Sequence, residues 1–452
     1  MLHRRDFLTL STALIASGCL AGRKPKPKDA PVRIAQIGVG GRGTENLNGL
    51  LGAGAELAAV CDVDSRMLES ALRRPLPNAR AFADMRELFA RRHELELDGV
   101  LVSTPDHTHA FATALALRAG LPVYTEKPLT RTIEESRRLR ELAEAAQVPT
   151  QLGTQIHAYE NYRRVVELVR SGAIGTIRSV DTWVPKGWCC GPQAPIVAPP
   201  ATLNYDLWLG PAQLRPYVKD LHPANWRKYW DYGTGTLGDM GCHMLDLPVW
   251  ALGLDRSRLG VAEVRAQVSG VDRNGTPEWT EASWAIAQTE GDPLVLRWFD
   301  GGRKSPTAQE LGAKDGVNYH ERFTILFQGS EGFLWANYDE HLITPAAVAA
   351  KPRAAFERIA PSPGHYHEWI EAIRAWRSGA QGTAEAPLCS FSRATTLNEL
   401  VLSGTVAGRV GRALRYDFGT SRFVDGDPLP AWQETPRAGW SLSDEDLDRV
   451  LS

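Results

Sequence analysis

At 452 residues the chain is long for a single core, and with 43% hydrophobic and 23% charged residues it has the composition of a globular protein, so two domains are expected. A formal net charge of −2 leaves no positive excess to hold a phosphate backbone, which excludes nucleic acid as a partner. The fourteen tryptophans are compatible with sugar-stacking surfaces, although core packing is the ordinary use of an indole.

Residues 1–30 read as a targeting segment and tether outside the fold. Arg4-Arg5 precede an apolar run from Leu8 to Ala16, the layout of a twin-arginine export signal, and that run is too short to cross a bilayer. Ala16-Ser17-Gly18-Cys19 has the form of a lipoprotein cleavage site, and Arg23 to Lys28 reads as an extended basic tether; a simply cleaved signal with a coincidental cysteine fits the same residues. The expected location is periplasmic, with contact to a membrane only through a lipid anchor at Cys19.

Residues 31–153 alternate short strand-like runs with helical ones. Val32 to Ile37 is an apolar run that ends in Gly38-Val39-Gly40-Gly41-Arg42-Gly43, where missing Cβ atoms permit a tight turn and let backbone N–H groups approach a pyrophosphate at a helix start. Alone, such a turn is common between any two elements. The next run, Glu56 to Cys61, leads into Asp62 about twenty residues past the turn, where a carboxylate accepts from ribose hydroxyls and repels a 2′-phosphate. NAD is therefore expected rather than NADP. Gly99 to Ser103, Pro122 to Glu126 and Thr150 to Gly153 are further strands, with helices over Met67–Arg73, Met85–Arg92, Ala110–Ala119 and Ile133–Ala146. This alternation predicts a doubly wound parallel sheet of the Rossmann kind, with ligands beyond the carboxyl ends of its strands. Two loops lie there. One is Ser103-Thr104-Pro105-Asp106-His107-Thr108-His109, whose histidines serve either a helix-start hydrogen bond or the cofactor; the other holds Glu126-Lys127-Pro128, whose lysine would point toward a nicotinamide.

Residues 154–425 form a second α/β domain. Thr154 to Arg170 reads as a connecting helix, followed by strand-like segments Gly175–Val184, Gly260–Val268, Glu281–Gln288, Leu294–Phe299 and Arg322–Phe327; strands without regular intervening helices favour a large, mostly antiparallel open sheet. Trp188 through Trp230 is a long aromatic insertion, and loops of that length are uncommon unless functional. In Gly235 to Asp246 a helix would place Asp239 and His243 on one face, so that the carboxylate fixes the imidazole tautomer while the ring handles a hydroxyl proton; a capping aspartate and a core histidine fit the same spacing. Trp369–Trp376, preceded by His365 and His367, and Leu397–Val410 read as structural helices. The tail, 426–452, is rich in Pro, Gly and Asp and carries little signal. The six cysteines form no framework: Cys61 lies in a strand, Cys189 and Cys190 are adjacent, Cys242 and Cys389 are isolated, and no C-x-x-C or H-E-x-x-H occurs, so no metal is expected.

The glycine turn, Val60-Cys61-Asp62-Val63-Asp64, Thr104-Pro105 with His109, Glu126-Lys127-Pro128 and Gly238-Asp239-Met240-Gly241-Cys242-His243, in this order and spacing, resemble the Gfo/Idh/MocA family of NAD(P)-dependent sugar and cyclitol oxidoreductases over nearly the whole chain after residue 30. The resemblance implies that Lys127 and His243 face the carbinol that gives up hydride, with Asp239 beside them. It adds His109, Glu126 and Gln155 to the cofactor side, and Tyr159, Trp230 and Tyr232 to the substrate side. Tyr159, Tyr232 and His157 are reserve bases. It further implies closing helices, about 365–410, that pack back toward the first domain, and an open sheet whose face pairs with a second copy. The expected activity is NAD-dependent oxidation of a sugar, glycoside or cyclitol. A redox-neutral glycosidase or lyase cycle on a tightly held NAD is the alternative, because an exported protein meets no free NAD pool; a sugar-binding lipoprotein without activity is a third reading that no residue positively supports.

Overall fold

The computed structural model describes residues 27, 30–74, 78–189, 194–351, 358–379, 387–428 and 435–452. Arg4-Arg5, Cys19 and Cys190 lie outside the described residues. Within these residues the strands form two sheets. The first contains β1 (Val32–Ile37), β2 (Ala55–Cys61), β3 (Arg80–Phe82), β4 (Gly99–Val102), β5 (Val123–Thr125) and β6 (Thr150–Leu152) in the order β3-β2-β1-β4-β5-β6, each neighbouring pair parallel. β1, β2 and β4 are mostly apolar and almost wholly buried because helices cover both faces. The helices of this half are α1 (Arg42–Gly52), α2 (Ser65–Leu72), α3 (Met85–Ala90), α4 (Asp106–Arg118) and α5 (Ile133–Ala146). Their starts are written locally: Asp64 and Asp84 each accept from the N–H two residues on, and Thr132 with Glu135 forms a reciprocal capping box. Strand order reverses between β1 and β4, so the loops after these strands open a crevice. The sheet is the doubly wound one expected. β3, three residues with two exposed, was too short to be read from the sequence.

α6 (Glu160–Arg170) leads into the second sheet. Its strands are β7 (Ile177–Trp183), β8 (Val261–Val268), β9 (Thr280–Ile286), β10 (Leu294–Phe299), β11 (Ile325–Gly329), β12 (Phe333–Ala336), β13 (His341–Thr344), β14 (Leu414–Asp417) and β15 (Arg422–Phe423). They are ordered β13-β12-β11-β7-β10-β9-β8-β14-β15, antiparallel throughout except for the parallel pair β7–β10. β8 alternates buried Ala262 and Val264 with exposed Val261 and Glu263, which is the pattern of a sheet with one face in a core. The strand expected at Arg322–Phe327 starts later. Tyr319–Arg322 is a helical turn whose Tyr319 ring stacks on Trp335 with centroids 4.3 Å apart, and the strand begins at Ile325.

Three later helices join the halves: α7 (Gly235–Met244), α8 (His365–Arg377) and α9 (Phe391–Val410). α8 belongs to the first domain. Trp369, Ile370 and Ile373 pack with Val32, Ile34 and Leu57, and Arg377 makes a buried ion pair with Asp98 at 3.0 Å. α9 spans both cores, with Phe391 and Ala394 in the first and Leu400, Val401 and Ala407 in the second. The tail is ordered by the same logic: α10 (Asp444–Leu451) buries Leu447 against the first domain, Trp440 joins that core, and Arg118 pairs with Asp448 at 2.8 Å. Trp369→Ala should cost about 3–5 kcal/mol and lower the thermal midpoint. A variant that melts with the parent would show that α8 is not part of the first core.

Candidate active site

The glycine turn is held by steric limits as much as by bonds. Gly38 has φ +83°, and a Cβ there would lie 2.5 Å from the Ser103 carbonyl oxygen, while a Cβ at Gly43 would lie 2.2 Å from the oxygen of Gly38. Only glycine lets β1, the turn and α1 close together, with Gly38, Gly40, Gly41 and Arg42 facing one cavity. Asp62, at the end of β2, accepts from Val39 N and Asp64 N, both at 2.9 Å, and so pins the turn to the second strand. The cavity measures about 900 Å³ and runs from Asp62 past Thr104, Pro105 and His109 to Lys127, Gln155 and His243. A dinucleotide fits this cradle: bare backbone at a helix start would hold the pyrophosphate, and Asp62 the ribose.

At the other end the two domains meet. Lys127 follows β5 and donates from Nζ to Asp239 on α7, at 2.6 Å to Oδ1 and 3.0 Å to the backbone oxygen. The second carboxylate oxygen of Asp239 accepts from Trp188 Nε1 at 2.7 Å and Lys186 Nζ at 3.2 Å, and Arg227 Nε lies 3.3 Å from Oδ1. Burial works to raise the pKa of Asp239, but Lys127, Arg227 and Lys186 outweigh it and hold the carboxyl well below the usual range. His243, one helical turn on, lines the same cavity. Burial and then the charge of Lys127 push its pKa down to about 3, so the ring is neutral at physiological pH. Behind Lys127, Asn398 of α9 accepts from Leu129 N at 3.1 Å and donates to Thr130 at 2.8 Å, fixing the loop. Glu126 accepts from Asn46 at 2.9 Å and Gln155 at 2.6 Å, and His109 spans the two loops with ring nitrogens 2.7 Å from the Thr104 and Pro128 oxygens.

The aromatic insertion forms a roof. Thr202 O accepts from Ser65 N and Val63 O from Asn204 N, both at 2.9 Å, so the insertion is zipped to the loop after β2. Trp208, Tyr217, Trp226 and Tyr232 pack into a core of their own, and His107 Nε2 donates to the Trp208 oxygen at 2.8 Å. Arg437 of the tail clips the roof from outside, donating to Gly210 O at 2.7 Å. Trp208, His222, Trp226 and the tail's Trp440 thereby line the cavity beside the dinucleotide cradle.

Most residues expected at the site converge on this cavity: Gly38, Gly40, Gly41, Arg42, Asp62, Thr104, Pro105, His109, Glu126, Lys127, Gln155, Tyr159, Asp239 and His243 all line it, with Gly43 beneath the turn. Three expectations are corrected. Asp239 does not orient His243: its carboxylate is taken by Lys127, Lys186, Arg227 and Trp188, and His243 Nδ1 has no partner among the described residues. Trp230 and Tyr232 do not face the cavity; Trp230 donates to Asp272 O and lies under Arg409, and Tyr232 is buried in the roof against Trp208. The reserve base His157 is paired with Asp246 at 2.7 Å and stacked on Trp250; burial opposes its charge, but Asp246 raises its pKa to about 10. Lys186, Arg227, Met240 and Tyr338 line the site without having been singled out. The insertion's composition pointed to Trp188 and Trp226, but nothing in the local pattern distinguished Lys186 or Arg227 from solvated charges.

His243 should stay neutral as the pH falls from 8 to about 4, because protonation would bury a second cation beside Lys127. Titration of its ring resonances by NMR checks this. A midpoint near 6.5 would mean a solvated ring and contradict the geometry.

Comparison with known proteins agrees with this arrangement. Residues 32–154 match the Gfo/Idh/MocA "Oxidoreductase family, NAD-binding Rossmann fold" and residues 170–297 the "Oxidoreductase family, C-terminal alpha/beta domain", together more than half of the chain. Inositol 2-dehydrogenase of Paracoccus denitrificans is 38% identical over 118 residues, 25% of this chain and 34% of that one. Glycosyl hydrolase family 109 protein 1 of Shewanella sp. (strain ANA-3) is 29% identical over 206 residues, 39% and 44% of the two chains. The match thus spans well under half the length of these relatives. The WlbA dehydrogenase of Bordetella pertussis, solved with NADH and UDP-GlcNAcA, shares the fold with a TM-score of 0.58 at 17% identity, over 85% of this chain and 98% of that one. The chain belongs to the Gfo/Idh/MocA oxidoreductase family, and its first domain is the family's NAD-binding Rossmann domain.

Proposed function

We propose that the protein oxidises a carbinol of a sugar, glycoside or cyclitol with a dinucleotide that it keeps between turnovers. The observation that carries this reading is the convergence of Lys127 and His243, from different domains, on the cavity that contains the glycine turn. NAD, when bound, supplies the acceptor for the hydride that leaves the carbinol carbon. Lys127 Nζ spends two donors on Asp239 and has its third for the carbinol oxygen, where it stabilises developing negative charge. Neutral His243 accepts the hydroxyl proton, so the carbinol loses one proton to the ring as the hydride departs. The low-dielectric walls strengthen both effects.

The roof supports a second reading of the net reaction. A cofactor bordered by Trp208, Trp226 and Trp440 would exchange slowly, which suits a cycle in which the carbinol is oxidised, a neighbouring bond is eliminated or hydrolysed, and the same hydride returns. Arg4-Arg5 and Cys19 support export by the twin-arginine route and lipid anchoring in the periplasm, a proposal that cell fractionation tests; the exposed face of the open sheet, which carries Glu263, Arg265 and Gln267 of β8, is where a second copy would pair.

The purified protein should carry NAD released only on denaturation. Exposed to aryl glycosides, it should either release the aryl alcohol without lasting absorbance at 340 nm, as the redox-neutral cycle requires, or form stoichiometric NADH, as plain oxidation requires. His243→Ala should slow single-turnover oxidation by about a hundredfold to ten-thousandfold with NAD still bound. Lys127→Ala should lose cofactor as well as rate. An unchanged rate in His243→Ala would remove the histidine from the mechanism, and failure to bind NAD in any form would sink the reading.

A further inference from the structure

The reacting end of the cavity holds more positive charge than its chemistry uses. One carboxylate, Asp239, is ringed by Lys127, Lys186 and Arg227. The other acid close by is Asp106, which accepts from Thr234 at 2.9 Å and faces Lys127 and Arg227; burial raises its pKa to about 7, so it offsets only part of a charge at neutral pH. Elsewhere in the cavity the cations are matched: Arg66 pairs with Asp64, and Arg42 with Glu45 and Glu126. Lys186 and Arg227 have spare donors. The Lys186 side chain is 43% exposed and gives its ammonium one strong partner, Asp239. Arg227 gives Nε to Asp239 and Nη1 to Ala224 O, and Nη2 has no partner among the described residues. Both cations lie over one indole, with Lys186 Nζ 4.8 Å and the Arg227 guanidinium 5.5 Å from the Trp188 ring. Two cations are thus held side by side on an aromatic wall, beside the lysine that meets the carbinol, and a neutral sugar leaves their spare donors without an acceptor of matching charge.

We infer that the substrate is an anionic saccharide, and that Lys186 and Arg227 bind its carboxylate or sulfate group. This rests on the proposed oxidation at Lys127 and His243 and names the substrate class for that site. Lys127 and Lys186 take opposite oxygens of one carboxylate, at 2.6 and 3.2 Å, so the charged group sits on the ring that is oxidised or on its immediate neighbour. Trp188, Tyr159 and Tyr338 line the same cavity and offer aromatic faces for that ring. Lys186 and Arg227 are specificity residues in this account. Neither takes the proton.

The test is a set of binding titrations on NAD-loaded protein, read by tryptophan fluorescence and thermal shift so that no turnover is required. The pairs are p-nitrophenyl glucuronide against glucoside, p-nitrophenyl galacturonide against galactoside, and glucose 6-sulfate against glucose. At least one anionic member should bind tenfold or more tightly than its neutral partner, with an advantage that shrinks as salt rises. Preference for the uronides alone assigns a carboxylate, for the sulfate alone a sulfate, and either outcome supports the inference. K186Q and R227Q, each checked for retained NAD, should weaken the anionic ligand about ten- to a hundredfold and so reduce its advantage over the neutral partner about tenfold. The inference is overturned if neutral members bind as tightly as anionic ones, if no anionic member binds, or if the preference survives both substitutions. An anionic ligand that binds with the expected preference but never produces absorbance at 340 nm or a cleaved product would contradict the oxidation, not the anion site.

Discussion

Lys127 reaches out of the Rossmann domain and Asp239 out of the second domain, and the 2.6 Å ion pair between them sets where the two halves meet. Both partners are largely out of water, with side chains 14% and 5% exposed, so neither could be left alone at that depth without a large desolvation cost. Each fixes the other. The loop that carries Lys127 is clamped from behind by Asn398 on α9, a helix that is itself shared by both cores, so the lysine is placed by packing on one side and by charge on the other. The mouth of the dinucleotide crevice and the face of α7 that carries Asp239 and His243 are thereby brought to one cavity.

Burial first, and then the charge of Lys127, explain the state of His243. A ring that could otherwise titrate near neutrality is taken out of water, and the cations nearby, with their close carboxylate Asp239 already shared, add to the effect. In the proposed mechanism the site gains a base that is unprotonated at every physiological pH. It gives up the familiar device of a carboxylate that holds the imidazole in one tautomer.

That trade was hidden in the sequence. The spacing of Asp239 and His243 places both on one face of α7, as the structure has it, but spacing along one helix says nothing about a cation arriving from 112 residues earlier in the chain. The glycine turn and Asp62 were legible because their contacts fall within one strand-helix-strand unit: Gly43 must clear Gly38, and Asp62 must meet Val39. The parallel sheet was legible from the alternation of strands and helices, and Glu126-Lys127-Pro128 from its place at the end of a strand, although the partner of Lys127 was not. The roof was half legible. Its length and aromatic content marked it as functional, whereas which rings face inward was decided by long-range packing that buries Tyr232 and turns Trp226 toward the cavity. The tail gave no periodic signal, and its Trp440 is placed by long-range contacts with Phe111 and Arg86 of the first domain.

Lys127 and Asp239, paired at 2.6 Å, act as one unit. A double-mutant cycle on the single-turnover rate of nicotinamide reduction, with Lys127→Met, Asp239→Asn and the two combined, measures this directly. Acting as a unit, the pair predicts that the double variant is no slower than the slower single variant. Losses that multiply, so that the double variant is slower by the product of the two single effects, would show that the lysine and the carboxylate work independently and would contradict the central role given to their contact.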